Sequence, residues 1–230
     1  MSITTRVWIA GAGGRLGSAL CRRFDCNTGF RLLASDLDVR VEDSFQVGHF
    51  ADLNHPDVII NCAGLTDVRA CERQPEEAYK VNAIGARNLA VAARRIDAKL
   101  IQLSTDDVFD GAASSALCEF DDAHPATMYG KSKYAGEKLV RELTDKHVIV
   151  RSSWLYGAGA DDFVDQVLQA AARGETVRLP EDEISSPTSA DALAGFIEYL
   201  VGAREYGLYH ASCEGACSRA EFAREILRLS

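Results

Sequence analysis

The sequence predicts an α/β fold in which a doubly wound parallel sheet is covered by helices on both faces, with a small C-terminal part added. Short apolar runs alternate with amphipathic segments along residues 1–152, and each run is continuous rather than alternating in polarity. Continuous apolar runs are typical of parallel strands that are buried on both faces. Strands that alternate with helices are joined by right-handed crossovers, which cover the sheet on both sides.

The elements of the first part follow from these runs and from the helical spacing between them. The predicted strands are residues 7–10, 30–33, 58–61, 100–103 and 148–150, and the predicted helices are residues 16–24, 76–95 and 134–143.

After Arg151 the alternation of apolar runs and amphipathic segments becomes irregular. Residues 153–230 are therefore predicted to form a smaller, partial region. Its predicted helices are residues 162–173 and 190–201, with a short strand at 176–179 and a late strand at 208–210. Ser218 and Glu221 have the spacing of a capping box, which predicts the start of a final helix. The late strand and this helix are expected to return to the first domain, residues 1–152.

Composition and charge exclude several classes of protein. A net charge of −9 argues against a surface for nucleic acid or anionic membrane, which needs clustered Lys and Arg. The N-terminal apolar stretch, residues 7–10, is too short for a signal peptide or a membrane span. The seven cysteines form no Cys-x-x-Cys pair and have no nearby His cluster, so no metal site is expected. Scattered thiols are typical of a reducing compartment, and a cytoplasmic location is predicted.

A glycine-rich loop, residues 11–17, connects the first predicted strand to the first helix. Gly11, Gly14 and Gly17 keep the spacing G-x-x-G-x-x-G. Glycine allows a tight turn and lets the backbone approach a pyrophosphate, whose charge then meets the helix N-terminus. The loop therefore predicts a Rossmann domain that binds NAD(P), with these glycines, Arg15 and Leu16 as cofactor-binding residues.

Two residues bear on the choice between NADH and NADPH. Asp36 follows the second strand, where an acidic residue can hold the adenosine ribose hydroxyls, and this favours NADH. Arg15 is close enough to the loop to meet a 2′-phosphate, which favours NADPH, although a solvated side chain is an equally good interpretation. The cofactor preference stays open between the two.

Tyr129 and Lys133 are candidates for proton transfer. Their spacing of four residues places both side chains on one helix face. A free phenol has a pKa near 10, and a neighbouring ammonium favours the phenolate. Ser104 and Thr105 end the strand at 100–103, and their hydroxyls can hydrogen-bond the substrate oxygen that the phenol serves.

At these residues the chain resembles the dTDP-4-dehydrorhamnose reductase family within the extended short-chain dehydrogenase/reductase superfamily. The most discriminating motifs are Ser-Thr-Asp-x-Val-Phe-Asp-Gly at 104–111 and Arg-Ser-Ser-Trp-Leu-Tyr-Gly at 151–157. The other similar segments are the glycine loop and residues 56–63, 78–82, 85–86, 129–137, 186–188 and 207–226, so that the resemblance spans essentially the whole chain.

The resemblance assigns roles to residues that the spacing alone does not. It implies that Thr105, Tyr129 and Lys133 are catalytic and that Ala63, Gly64 and Asn82 lie along the cofactor. It also implies that Val68 and Trp154 border the sugar pocket, with Ser104 as a further substrate-binding candidate. Asn82 can equally be a structural residue inside a helix, and Trp154 a core aromatic residue.

The function implied by the resemblance is reduction of a dTDP-linked 4-keto-6-deoxy sugar by NADPH or NADH, with a homodimer as the candidate assembly. A non-catalytic nucleotide-binding regulatory subunit and a related sugar-nucleotide epimerase or dehydratase are the alternatives. Three positions depart from the family pattern, namely Arg69, Asp107 and Glu183. Family members also continue for several tens of residues beyond the position of Ser230, so the substrate-binding part, residues 153–230, is expected to be truncated.

Overall fold

A computed structural model describes residues 4–158 and 162–230 of the chain. Its strands are β1 (Thr5–Ala10), β2 (Phe30–Ser35), β3 (Val58–Asn61), β4 (Lys99–Thr105), β5 (His147–Ser152), β6 (Leu155–Tyr156), β7 (Ile184–Ser185), β8 (Thr188–Ser189), β9 (Gly207–His210) and β10 (Cys217–Ser218). Its α-helices are α1 (Arg15–Asp25), α2 (Ser44–Asn54), α3 (Val68–Arg73), α4 (Pro75–Tyr79), α5 (Gly85–Arg95), α6 (Met128–Leu143), α7 (Phe163–Ala172), α8 (Ala190–Gly202) and α9 (Arg219–Leu229).

Six of the described strands form one sheet in the order β2-β1-β3-β4-β5-β9, and each neighbouring pair is parallel. The chain moves from β1 to β2 at one edge and then returns to place β3 on the other side of β1. This reversal opens a crevice beyond the carboxyl ends of β1 and β3, which is where ligands bind in such sheets. The predicted doubly wound sheet is therefore confirmed.

Helices cover both faces of the sheet because its strands send alternate side chains to opposite sides. Val7 and Ile9 of β1 pack in the core formed with α1 and α8. Trp8 and Ala10 pack on the other face, in the core formed with α2, α5 and α6. The indole of Trp8 donates a 2.8 Å hydrogen bond to Ser35 Oγ, which joins β1 to the end of β2 inside this core.

The late strand of the C-terminal part joins the main sheet as expected, whereas the final helix, α9, packs mainly on α7 of the same part. β9 pairs with β5, and α8 packs on α1. α9 begins at Ser218, whose capping box with Glu221 is present as predicted. Two short strand pairs, β6 with β8 and β7 with β10, lie outside the main sheet.

The predicted strand at residues 176–179 is wrong, because residues 175–180 have no regular secondary structure. Leu179 packs instead on the apolar cluster between α7 and α9. The Pro180 carbonyl accepts a hydrogen bond from Ala220 N at the start of α9. Among the described residues, no helix combines the length and apolar character that crossing a membrane requires.

Candidate active site

The glycine loop lies at the carboxyl end of β1, beside the segment that follows β3. Gly11 has a φ of +80°, and a Cβ atom there would stand 2.5 Å from Ala63 N. The amides of Gly11 and Ala12 both donate to Ser35 O at 2.9 Å. Only glycine combines this backbone conformation with so close an approach, so the loop is held tightly against the ends of β2 and β3.

The loop leaves the N-terminus of α1 suited to an anion. Gly14 is the N-cap and offers no side chain to the first helical amides, and the first turn contains no acidic residue. A Cβ at Gly17 would overlap Gly11 O, so the helix starts directly against the loop. Leu16 packs its side chain into the core, leaving only its backbone for a ligand. The residues present therefore fit a dinucleotide pyrophosphate.

The two residues that bear on cofactor preference have different surroundings. Asp36 is exposed, and its carboxylate lies over the loop so closely that a Cβ at Gly13 would overlap it. Arg15 is mostly covered, and its Nε lies 3.6 Å from Asp162 Oδ2, at the N-cap of α7. Asp36 thus places a negative charge against the loop at Gly13, whereas the Arg15 guanidinium lies beside an acidic partner, Asp162.

Lys133 is buried at the end of β4. Its Nζ donates a 2.7 Å hydrogen bond to Leu103 O, and a Cβ at Gly64 would stand 3.7 Å from this Nζ. Burial lowers the pKa of Lys133 to about 8, while Glu137 and then Cys62 act in the opposite direction. The ammonium therefore lies between β4 and the segment after β3, where the predicted cofactor backbone would pass.

Tyr129 is in the first turn of α6, which is capped by the Thr127 side chain. Burial raises the pKa of Tyr129, a hydrogen bond with Thr105 lowers it, and the charges of Asp107 and Asp106 raise it further. The pKa of Tyr129 is thus raised in this structure, not lowered as expected, because desolvation of the phenol dominates while Lys133 Nζ bonds to Leu103 O. Tyr129 is therefore a buried, neutral phenol next to the Thr105 hydroxyl.

Both polar atoms of the Asn82 side-chain amide form hydrogen bonds within the protein. Its Oδ1 accepts from Leu65 N at 2.8 Å, and its Nδ2 donates to Leu65 O at 3.0 Å and to Ser132 Oγ at 2.9 Å. It lies in a π-helical segment, Lys80–Ile84, between α4 and α5. These contacts agree with the interpretation of Asn82 as a structural residue. Its side chain orders the turn at Gly64 and Leu65 and connects this turn to α6.

Ser104 is oriented away from Tyr129. Its Oγ donates a 2.5 Å hydrogen bond to Glu137 Oε1, and the residue is buried. Successive side chains of a strand point to opposite faces. The hydroxyls of Ser104 and Thr105 therefore do not point to the same side of β4. The structure brings Thr105 to Tyr129 and leaves Ser104 with a buried carboxylate.

Trp154 lies on the side of the site facing the C-terminal part. Its φ of +37° is in the left-handed region, which costs about 1–2 kcal/mol for a residue with a side chain. The Arg219 guanidinium stacks on its ring, with Cζ 3.6 Å from the centroid. Trp154 is partly exposed, unlike a core aromatic residue. Val68, the first residue of α3, is also exposed.

Acidic side chains surround this region. Asp106 Oδ2 accepts a 2.8 Å hydrogen bond from Ser185 Oγ. Burial and then the charge of Asp106 raise the pKa of Asp107 to about 6, while Arg219 lowers it. Sequence reasoning missed Arg219 and Asp106, because Arg219 follows Asp107 by more than a hundred residues and no local pattern connects them. The described residues contain no cluster of His, Cys, Asp or Glu suited to a metal ion.

The comparisons with known proteins place this site in a family. Residues 5–230 match the family described as RmlD substrate binding domain. The chain belongs to this family. The resemblance on which the sequence analysis relied is thereby confirmed, and so is the fold.

Similar proteins include the spore coat polysaccharide biosynthesis protein SpsK of Bacillus subtilis, 38% identical over 98% of this chain and 80% of that protein. A dTDP-4-dehydrorhamnose reductase of Aggregatibacter actinomycetemcomitans is 37% identical over 96% of this chain and 78% of the relative. The crystal structure of dTDP-4-dehydrorhamnose reductase from Bacillus anthracis in complex with NADP is 38% identical with a TM-score of 0.96. The match with that structure covers 100% of this chain and 82% of the Bacillus anthracis chain.

Proposed function

We propose that this member of the RmlD family is an NAD(P)H-dependent reductase of a dTDP-linked 4-keto-6-deoxy sugar, with dTDP-4-dehydrorhamnose as the first substrate to test. The observation that carries the proposal is the position of Tyr129, Thr105 and Lys133 at the carboxyl end of β4, on the same edge of the parallel sheet as the glycine loop after β1. Relatives that bear this activity in their names match almost the whole chain.

The cofactor, when bound, supplies the hydride that reduces the sugar ketone. The glycine loop and the N-terminus of α1 hold its pyrophosphate, and Asp36 lies where the adenosine ribose is expected. Ala63 and Gly64 offer backbone without bulky side chains along its path.

Tyr129 supplies the proton. Because burial keeps the phenol protonated, it can protonate the alkoxide that develops on the ketone oxygen. Thr105, already hydrogen-bonded to Tyr129, can also donate to that oxygen and hold it in line. General acid catalysis of this kind contributes about 10²–10⁴-fold to a rate.

Lys133 has two roles in this proposal. Its buried ammonium can donate to a ribose hydroxyl of the cofactor through hydrogen positions that Leu103 O leaves unused, since an ammonium has three donors. Its positive charge also favours the negative charge that develops on the Tyr129 oxygen when the proton leaves.

The test is turnover by Tyr129→Phe against Tyr134→Phe, a matched loss of one hydroxyl on the same helix. NADPH absorbance is followed with dTDP-4-dehydrorhamnose, and cofactor binding is measured separately by fluorescence. We expect Tyr129→Phe to lose about a hundredfold or more in kcat, with unchanged NADPH affinity, and Tyr134→Phe to behave as wild type.

Equal turnover by wild type and Tyr129→Phe would reject Tyr129 as the proton donor, and no turnover by the wild type would reject the reductase. Tight NADPH binding without turnover in the wild type would favour the regulatory alternative instead. The homodimer, the cytoplasmic location and the domain boundary after residue 152 stay predictions.

A further inference from the structure

Lys133 and Glu137 are one helical turn apart on α6, and both are buried against β4. Consecutive residues of β4 hold them: Leu103 O accepts from Lys133 Nζ at 2.7 Å, and Ser104 Oγ donates to Glu137 Oε1 at 2.5 Å. Residues at this spacing lie on the same face of a helix. The pair therefore fastens the catalytic face of α6 to the end of β4 at two points.

The Glu137 carboxylate is completely buried and has several partners. Arg151 Nε and Nη2 bind its two oxygens at 2.9 and 2.8 Å, and Arg141 Nη2 lies 3.2 Å from Oε2. Bidentate arginine contacts and a hydroxyl donor compensate the cost of burying a carboxylate, so that Glu137 keeps its negative charge inside the protein.

We propose that Glu137 is a positioning residue that keeps the Lys133 ammonium charged and fixed at the end of β4. The significance of this role for catalysis rests on the proposed reductase function, because Lys133 is there the group that binds the cofactor. The role itself concerns only the charge and place of Lys133 and can be measured without turnover.

The surroundings of Lys133 single out Glu137 as the stabilising anion. Burial lowers the pKa of the Lys133 ammonium, and the groups that oppose this effect are Glu137 first and Cys62 second. Burial raises the pKa of the Cys62 thiol to about 12, so Cys62 carries no charge at neutral pH. Leu103 O from β4 is a dipole, not a charge.

The groups around Glu137 itself come from three further elements. Arg151 reaches it from β5 and Ser104 from β4, while Arg141 is on α6 and partly exposed. His210 of β9 contacts only the far side of the Arg151 guanidinium, with Nε2 3.5 Å from Nη1. A change of charge at Glu137 is therefore not screened by a second buried anion among these contacts.

The test replaces the charge and keeps the shape. Glu137→Gln removes the anion, and Glu137→Gln/Arg151→Met removes the whole buried ion pair, so that no unpaired arginine is left inside. Arg141→Ala is the matched control, because it deletes an ion pair to the same carboxylate without changing the buried charge. Folding of each variant is verified by circular dichroism and thermal unfolding.

The readout is the titration of Lys133, followed by its ¹³Cε resonance in protein with ¹³C-labelled lysine and assigned with Lys133→Arg. We expect the midpoint to fall by about one pH unit in both Glu137 variants and to stay at the wild-type value in Arg141→Ala. The high-pH decline of kcat/KM should move with it, which a merely structural residue would not cause.

If Lys133 titrates in a folded Glu137 variant with the same midpoint as in the wild type, the inference is overturned. Failure of both Glu137 variants to fold would also overturn it, since Glu137 would then be a structural residue. A shifted titration in a protein that reduces no sugar nucleotide would reject the proposed function and leave the role of Glu137 standing.

Discussion

The two sides of the site, the one proposed to hold the cofactor (the cofactor side) and the one proposed to hold the sugar nucleotide (the substrate side), are built by different means. On the cofactor side, the glycine loop, Ala63 and Gly64 present backbone, and added side-chain atoms would collide with neighbouring backbone or polar groups. On the substrate side, the site consists of long or charged side chains, namely Asp106, Asp107, Trp154 and Arg219. The first is defined by the fold, and the second by side chains brought together from separate segments.

This difference determines what each side can tolerate. Backbone packed at van der Waals distance leaves no room for substitution, because a protein interior yields little to added atoms. Partly exposed charged side chains can be exchanged at small cost in stability. Substitutions on the cofactor side should therefore cause large losses of stability and cofactor binding. Substitutions on the substrate side should change substrate affinity only by small steps.

The largest effect is expected from Gly11→Ala. The new Cβ would stand 2.5 Å from Ala63 N at a φ of +80°, so both overlap and strain oppose it. We expect a loss of about 2–5 kcal/mol in the free energy of unfolding, measured by urea denaturation, and loss of NADPH binding.

Gly111→Ala is the control for this prediction. Gly111 also has a left-handed φ, +76°, but open space surrounds its Cβ position. It should therefore show only the conformational cost of about 1–2 kcal/mol. Equal losses for the two variants would mean that the contact with Ala63 contributes nothing, and the contrast between the two sides would fail.

The contrast between the two sides also explains which parts of the site could be predicted from the sequence. The glycine spacing and the pair Tyr129 and Lys133 are local patterns, because a turn and a helix turn are set by near neighbours. The contact of Arg219 with Trp154, and that of Ser185 with Asp106, join residues far apart in the chain. No spacing rule gives such contacts, so the substrate side was predicted only where the family resemblance reached it.

Ser104 shows a second reason for incomplete prediction. The sequence placed its hydroxyl correctly at the end of β4, but the alternation of the strand turned it toward Glu137 and away from Thr105. The direction of this side chain depends on the buried carboxylate of Glu137, which no local sequence pattern connects to Ser104. Residues 176–179 likewise have a sequence typical of a β-strand, but they form no strand in the structure.

A medium effect is expected from Asp36→Asn, which changes a side chain on the cofactor side without adding atoms. The Asp36 carboxylate lies over the loop at Gly13 and repels a 2′-phosphate while it accepts hydrogen bonds from ribose hydroxyls. The ratio of NADPH to NADH affinity should rise about tenfold, equivalent to about 1.4 kcal/mol. Binding titrations with both cofactors measure it.

Asp52→Asn, an exposed carboxylate paired with Arg95 on α5, controls for the loss of one negative charge anywhere on the surface. Its cofactor ratio should equal that of the wild type. If Asp36→Asn leaves the ratio unchanged as well, the preference is set elsewhere, and Arg15 with its partner Asp162 becomes the next pair to vary.

The smallest effect is expected from Asp107→Asn on the substrate side. The pKa of Asp107 is raised to about 6 by burial and by Asp106, so the carboxylate is charged above pH 6 and neutral below it. A sugar nucleotide carries a negative diphosphate throughout this range. In the wild type, KM should therefore rise about threefold as the pH increases from 5 to 7, a cost of about 0.7 kcal/mol that is typical of a partly exposed charge pair.

Asp107→Asn should remove this dependence and keep KM near its low-pH value across the range. Asp110→Asn, an exposed carboxylate three residues away, should retain the wild-type dependence because its charge is solvated. A KM that rises equally in all three proteins would place the titrating group outside Asp107. A tenfold or larger effect of Asp107→Asn would make this side as intolerant as the glycine loop, and the contrast between backbone and side-chain construction would then have to be abandoned.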